Sequence, residues 1–398
     1  MRVAVNLEQL LSPSPGGIGR YAARLVANLA DLGVEVYPVV ARHSAEEVKA
    51  AWEVFGLQSL PGPRVLALPR PFLYDAWHLL AWPPLVPGAG AGVDLVHAPS
   101  LAVPPKAGRP LVVSVHDAGP WLFPEAFGRR GRWFHKMGAR AAVRRADRVI
   151  TGTHAAADEL AHYMGLPEDR IRVVAYGVGP PSPPSPPHVA GLLRRYGLSG
   201  APYVLWVGSL EPRKGVGTLV AAMARLAGPT LAGPTLAGPT LAGPTRTAGL
   251  RAELVLAGYA GWQSSTIIAP GDRAVLGSTL HQLGRVGEAE LQALYAGAGV
   301  FAFPSLHEGF GLPVLEAMAA GVPVVASDIP AIREVAGGAA VLVSPGDVNA
   351  WAEAIKGALG ASARERATVV EAGYRRAAQF SWTRTAEATL AIYNEVVG

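Results

Sequence analysis

The sequence predicts an α/β protein of two Rossmann-like domains, each a parallel sheet covered by helices on both faces. Three observations predict it. Short apolar runs of strand length alternate with amphipathic stretches of helix length. The alternation halts at a proline-rich run and then starts again. The chain's 398 residues also exceed what one hydrophobic core usually spans.

The first domain is expected over residues 1–178. Its strands are read at Val3–Leu7, Val34–Val40, Arg64–Leu68, Val93–His97, Leu111–His116, Arg148–Thr151 and Ile171–Val174. Each is short, rich in Val, Ile and Leu, and bounded by turn residues, as strands buried on both faces are. Helices are read at Gly19–Leu32, Arg132–Ala146 and Ala155–Tyr163. The run from Gly177 to His188 then carries Pro after Pro, so residues 179–188 are expected to form a stiff extended linker. The second domain, 189–379, repeats the pattern. Strands are expected at Tyr203–Val207, Ala252–Ala257, His281–Arg285, Val300–Phe303, Val322–Ala326 and Ala340–Val343. Helices are expected at Lys214–Leu226, Glu288–Ala298, Leu312–Ala320 and Val348–Leu359. Ligands of such sheets bind outside the carboxyl ends of the strands, which predicts a cleft between the domains. Residues 226–245 stand apart as Leu-Ala-Gly-Pro-Thr repeated four times. Gly-Pro every five residues stops a helix or a sheet ladder, so this insert is read as a dispensable surface connection.

Composition excludes several classes. Half the residues are hydrophobic and 16% are charged, which describes a globular protein, and no apolar run is long enough to span a membrane. With no cysteine there is no disulfide framework, thiolate nucleophile or cysteine metal site, which suits the cytoplasm. Met1–Leu7 reads as a strand and not as a signal peptide. The net charge of +5 is low for nucleic-acid binding, and no nucleic-acid motif is present. Arg129 to Arg148 nevertheless concentrates eight cations with Trp133, Phe134 and Met137, a mixture that fits an anionic membrane surface.

Four motifs carry chemistry. The first runs from Phe303 to Glu316, from a strand end into a helix, with Glu308 and Glu316 separated by seven residues. Gly309 and Gly311 leave backbone N–H groups uncovered near a helix start, where anions bind. The two carboxylates can accept hydrogen bonds from two sets of sugar hydroxyls; Glu308 is read on the loop and Glu316 on the helix's first turn. The second, Gly208-Ser209-Leu210-Glu211-Pro212-Arg213-Lys214-Gly215, sets two cations at a helix start, where they oppose the helix dipole unless an anion lies there. A diphosphate would supply that anion. The third, Gly16-Gly17-Ile18-Gly19-Arg20-Tyr21, is a glycine turn between the first strand and helix without dinucleotide-fingerprint spacing. The fourth is His116-Asp117 at a strand's carboxyl end; a histidine there serves packing as often as chemistry.

Together these residues resemble the retaining family-four glycosyltransferases of the GT-B fold. The resemblance runs nearly end to end apart from the pentapeptide insert. It also takes in Phe123-Pro124-Glu125, Ala146 to Ile150, Ala257-Gly258-Tyr259-Ala260-Gly261-Trp262, Arg285-Val286 and Phe380-Ser381-Trp382. It implies that residues 380–398 form a last helix that returns to the N-terminal domain. It also implies that Glu316 holds the nucleotide ribose and Glu308 the donor sugar. Phe310, Gly311 and Leu312 would offer backbone N–H groups, Arg213 and Lys214 would neutralise the diphosphate, and the backbone near Val286 would meet the base. Ser209 and Gly258 belong to the same donor-binding set. In the first domain Gly17 would approach the diphosphate and His116 the sugar. Many relatives carry Arg where this chain has Ser209, and Arg213 is placed to replace that charge.

The expected activity is transfer of a hexose from a sugar nucleotide, GDP-mannose favoured and UDP-glucose the alternative, to a glycan or lipid-linked acceptor. The chain has no Asp-x-Asp metal signature, so no cofactor and no metal are expected. The acceptor is expected on N-terminal loops around Pro71–Pro87, near Tyr74, Trp77 and Trp82, with Asp117 also in reach. A glycoside hydrolase would place its two carboxylates across a cleft from each other. A nicotinamide dehydrogenase would need the missing fingerprint. A non-catalytic sugar-nucleotide sensor would keep the fold but lose active groups.

Overall fold

The computed structural model describes residues 1–86, 92–179, 184–198, 200–228, 230–231, 246–247, 252–261 and 264–398. The chain divides into unit 1, Met1–Val178 with Phe380–Gly398, and unit 2, Gly179–Gln379.

Unit 1 begins with β1 (Arg2–Asn6), α1 (Gly16–Asp31), β2 (Glu35–Val40), α2 (Ala45–Val54), β3 (Arg64–Val65) and α3 (Arg70–Leu80). It continues with β4 (Leu95–Ala98), β5 (Leu111–Ser114), α4 (Gly119–Leu122), α5 (Arg129–Arg145), β6 (Arg148–Thr151), α6 (His154–Met164) and β7 (Ile171–Val173). The strands form one parallel sheet in the order β3-β2-β1-β4-β5-β6-β7. β4 and β5 are buried at every position, which explains their largely apolar sequences, interrupted by His97 and Ser114.

Sequence patterning passes over α2 and α3. Ser44 caps α2 in a reciprocal capping box with Glu47. α3 overturns the expected acceptor loop. Pro71 sits in its first turn, where a missing N–H is harmless, and Leu73 and Trp77 face the core.

Unit 2 contains α7 (Pro186–Arg195), β8 (Tyr203–Val207), α8 (Val216–Ala227), β9 (Thr230–Leu231), β10 (Arg246–Thr247), β11 (Glu253–Ala257), α9 (Pro270–Leu276), β12 (Leu280–Gly284) and α10 (Glu288–Gly297). There follow β13 (Val300–Phe303), α11 (Leu312–Ala319), β14 (Val324–Ser327), α12 (Pro330–Ala336), β15 (Val341–Val343), α13 (Val348–Leu359) and α14 (Ala363–Ala377). Its main sheet is parallel in the order β12-β11-β8-β13-β14-β15.

The expected stiff linker needs correction. Pro186 and Pro187 open helix α7, again at positions where proline costs nothing; residues 180–183 lie outside the described residues. Most of the pentapeptide insert also lies outside them, but its first two residues, Leu226 and Ala227, complete α8. The short strands β9 and β10 pair antiparallel.

The chain ends in α15 (Trp382–Val397), which belongs to unit 1 and packs on α1. Val178 pairs with Ser381, and any side chain at Gly177 would collide with the Trp382 backbone. Glu395 anchors the helix to the edge of the sheet, accepting from Arg148 at 2.7 Å and Arg172 at 2.6 Å. Among the described residues no helix is long and apolar enough to cross a membrane.

Candidate active site

In both sheets the strand order reverses beside the first strand, between β1 and β4 in unit 1 and between β8 and β13 in unit 2. Such reversals open a crevice at the carboxyl ends of the strands. The segments leaving β8 and β13 touch there: a Cβ on Gly215 would strike the Pro304 carbonyl, and the Leu306 N–H donates to the Arg213 carbonyl at 2.8 Å. Gly258, after β11, lies so close to Gly208 that it too has no room for a side chain.

This contact brings the two charged motifs together. Lys214 Nζ donates to Glu308 Oε1 at 2.7 Å, with the side chains only 14% and 10% exposed. Arg213 donates to the His307 carbonyl at 3.1 Å and lies 3.7 Å from Glu211. The cations therefore rest against carboxylates, which relieves the repulsion expected at a helix start. Burial pushes the Glu308 carboxyl up, but attraction to Lys214 and Arg213, with the hydrogen bond from Lys214, outweighs it. The net result holds it below the ordinary carboxylate value. Ser209 bonds Tyr259, whose hydroxyl is raised chiefly by burial and also by Glu211.

Gly311 takes φ 103° and caps α11, and a Cβ there would strike Ile332, so this turn demands glycine. The N–H of Leu312 begins the helix, while the Phe310 side chain is buried beneath the loop. Glu316 lies on the second turn of α11, not the first, and accepts from the Tyr295 hydroxyl at 3.2 Å. Val286 is half-buried in the turn between β12 and α10. Trp262 lies outside the described residues.

Unit 1 contributes a different kind of site. Gly17 is exposed in the first turn of α1, with open space where a side chain would stand. His116 follows β5, and both its ring nitrogens are engaged: Nε2 lies 3.0 Å from the Pro99 carbonyl and Nδ1 2.7 Å from the Tyr176 hydroxyl. A carbonyl only accepts, so Nε2 carries the proton and Nδ1 accepts from Tyr176. Burial depresses the His116 pKa, against opposing effects of the Pro99 bond and Asp117. Asp117 accepts from the Gly119 N–H at 2.8 Å and so shapes the turn into α4.

The acceptor residues expected on α3 need correction. Trp77 is 1% exposed, and its indole donates to the Pro83 carbonyl. Tyr74 packs between Trp77 and Phe134, and burial raises its hydroxyl pKa. Trp82, at 57% exposure, does face solvent.

Sequence reading missed the partners of the site residues: Glu211 beside Arg213, Tyr295 on Glu316, and the ring cluster of Tyr21, Tyr176 and Trp382 near His116. A polar residue in an otherwise apolar strand was the available signal, as at His97 in Leu95–Ala98 and Ser114 in Leu111–Ser114.

Two parallel sheets with charged and glycine turns at their switch points define an α/β protein of the doubly wound class, in which ligands bind at the carboxyl ends of the strands. Comparison with known proteins narrows the class. Residues 201–360 match the family described as "Glycosyl transferases group 1", and residues 15–180 match "Glycosyltransferase Family 4". The O-antigen chain mannosyltransferase B of Escherichia coli is 30% identical, over 99% of both chains. A D-inositol 3-phosphate glycosyltransferase of Kineococcus radiotolerans is 29% identical, over 99% of this chain and 94% of that one. Among solved structures, Anabaena HepE in complex with UDP-glucose superposes with a TM-score of 0.71 at 20% identity, covering 99% of this chain and 100% of that one. Sucrose-phosphate synthase from Thermosynechococcus elongatus gives 0.69 at 22% identity, covering 99% and 98%. The chain belongs to the family-four glycosyltransferases of the GT-B fold.

Proposed function

We propose that the protein is a retaining, metal-independent mannosyltransferase that moves mannose from GDP-mannose to a hydroxyl of a glycan or lipid-linked acceptor. The observation that carries the reading is the half-buried Arg213–Lys214 pair beyond the carboxyl end of β8, against Glu308 on the β13 loop. A departing nucleoside diphosphate needs fixed positive charge as the glycosidic bond breaks, and preorganised cations in a half-buried site supply it with little reorganisation. The first N–H groups of α11 add to this. Glu316 holds the ribose, Val286 lies against the base, and Glu308 orients the sugar and balances charge at its anomeric carbon. A leaving phosphate oxygen takes the acceptor's proton as the new bond forms on the same face. Mannosyl transfer is favoured because mannosyltransferases of Escherichia coli and Mycolicibacterium hassiacum are each 30% identical to this chain.

The test is a sugar-nucleotide panel read by thermal shift, with and without EDTA. Product NMR with methyl α-mannoside as acceptor accompanies it. The expected result is the largest shift with GDP-mannose, unchanged by EDTA, and an α-linked product. A larger shift with UDP-glucose overturns the donor, loss with EDTA overturns metal independence, and free mannose exceeding transfer product points to a hydrolase.

A second reading concerns location. We propose that unit 1 lies on the inner face of an anionic membrane through α3 and α5. Arg129, Lys136, Arg140 and Arg144 form an exposed stripe on α5. The neighbouring α3 exposes Phe72, Leu79 and Leu80, followed by Trp82. Phe134, expected to join this surface, packs instead on the core, and Arg132, Arg145 and Arg148 are spent on internal bonds. Cations beside apolar side chains fit an interfacial surface. Sedimentation with liposomes should give binding that needs phosphatidylglycerol and falls severalfold in Lys136→Glu/Arg140→Glu. Equal binding to neutral vesicles removes the reading.

A further inference from the structure

His116 stands among residues to which the motifs of this chain assign no role. Its Nδ1 meets the hydroxyl of Tyr176 at 2.7 Å, and the ring of Tyr21 stands edge-on at 4.9 Å and also packs on Tyr176 at 4.7 Å. Tyr176 is 4% exposed and sits two residues before Val178, where the chain leaves unit 1. The returning helix α15 grips the same segment: Thr385 Oγ1 donates to the Ala175 carbonyl at 2.8 Å, and the Trp382 ring lies tilted to that of Tyr21 with centroids 6.2 Å apart. On the far side of Tyr21, its hydroxyl bonds Ser114, Ser114 bonds His97, and His97 bonds Tyr393 of α15 at 2.6 Å. The last helix therefore braces the surroundings of His116 at two points, one at each end.

We infer that Tyr176 is a positioning residue, which α15 holds so that its hydroxyl locks His116 into one neutral tautomer with the proton on Nε2. The inference rests on the reading of His116 as a donor-sugar contact. It gives that residue a definite chemical character. An imidazole with Nε2–H on a carbonyl and Nδ1 on a hydroxyl has no free lone pair, so it does not carry a proton during transfer. It serves as a fixed neutral wall with a set orientation. That suits a reaction in which the leaving phosphate takes the acceptor's proton. The groups that face the ring are Tyr176, Tyr21 from α1, Asp117 from its own turn and His97 from β4. Only Asp117 is an acid, and its Oδ1 accepts from the Gly119 N–H.

Tyr176→Phe tests this, with Tyr21→Phe as the control, since the latter removes a buried hydroxyl that bonds Ser114 and not His116. Imidazole ¹⁵N NMR assigns the His116 tautomer, and steady-state kinetics with GDP-mannose gives kcat and KM. In the wild type and Tyr21→Phe the Nε2–H form is expected from pH 5.5 to 8. In Tyr176→Phe that form gives way to a mixture, the ring protonates at higher pH than before, and kcat falls about tenfold while donor KM stays within about twofold. A retained Nε2–H tautomer or an unchanged kcat overturns the inference. Should Tyr176→Phe fail to fold, Thr385→Val carries the test, with the same changes expected at smaller size and the same outcomes overturning it. His116→Ala separates the underlying reading: full turnover there means His116 is not at the reaction, whatever its tautomer.

Discussion

In unit 2 the groups at the sheet's switch point are ions: Arg213 and Lys214 rest against Glu211 and Glu308, with Glu316 a turn further along α11. In unit 1 the corresponding region is lined by rings and hydroxyls. Tyr21, Ser114, His97, His116, Tyr176 and Tyr393 bond or pack in series, and burial depresses the pKa of both histidines. The two units share strand order and sheet type, yet they solve different problems. A charged cluster can exchange one partner for another, because each ion can trade its counterpart for water or a second ion. A buried neutral network has no such exchange open to it, because every broken bond leaves a polar group unsatisfied. The unit 2 cluster thus presents exchangeable charge, and the unit 1 network a fixed geometry.

The largest expected effect probes the charged side of this contrast. Glu308→Gln should lower kcat about 10²-fold or more while leaving GDP affinity within a few-fold, because the proposed function puts its charge where the sugar reacts. Gln keeps the shape and leaves an oxygen to accept from Lys214 Nζ, while the Lys214 charge loses its ionic counterpart. Glu316→Ala should do the reverse, weakening GDP and donor alike by about 1.5–3 kcal/mol for lost hydrogen bonds to a charged group. Kinetics alongside isothermal titration with GDP separates the two. If Glu308→Gln keeps full turnover or Glu316→Ala leaves GDP affinity intact, the two roles are misassigned.

A smaller effect probes the neutral side through pH. Burial depresses His97 to about 3 and His78 to about 4, and also lowers His116 and His135, all within unit 1. In the unfolded chain histidine takes a proton near about pH 6.5. A base whose folded pKa is depressed gives its full stability above the unfolded value and loses it as pH falls below. Stability of unit 1 should therefore decline below about pH 6.5, by up to about 1.4 kcal/mol per pH unit for each histidine. The Glu308 carboxylate, also depressed, contributes above the ordinary carboxylate range and is lost only as pH falls through its lowered value. Hydrogen exchange at pH 7.5 and 5.0 should show protection lost at Val113 in the unit 1 core before Val255 in unit 2. Equal protection at both pH values would contradict the contrast.

Much of this architecture is legible in the residues. Tyr203–Val207 and Val300–Phe303 are strands with the boundaries their apolar runs suggest, because a strand buried on both faces has no polar alternation to blur its ends. The Glu308–Glu316 and Arg213–Lys214 motifs are legible because glycine and charge at a strand-to-helix turn have few structural explanations. α3 is less legible: Arg-Pro-Phe looks like a loop, and Trp77 like a surface aromatic, until the helical spacing of Leu73 and Trp77 is set against the core. The Tyr176–His116 and His97–Tyr393 pairs are illegible. The latter spans 296 positions, and hydrogen bonds between distant residues leave no periodic trace.

The return of α15 also bears on how the molecule comes into being on the ribosome. Unit 2 lies between the two segments that make up unit 1. Translation therefore delivers all of unit 2 before Tyr393 exists to meet His97, or Thr385 to hold the Ala175 carbonyl. The nascent unit 1 must wait with part of its interior unfilled while the later unit completes its own sheet. A chain halted before α15 could own every residue of the glutamate and arginine–lysine motifs, yet lack the last brace around His116. Competence at that residue would then arrive only once α15 has been made and has docked on unit 1, which makes this helix a checkpoint on the unit it completes.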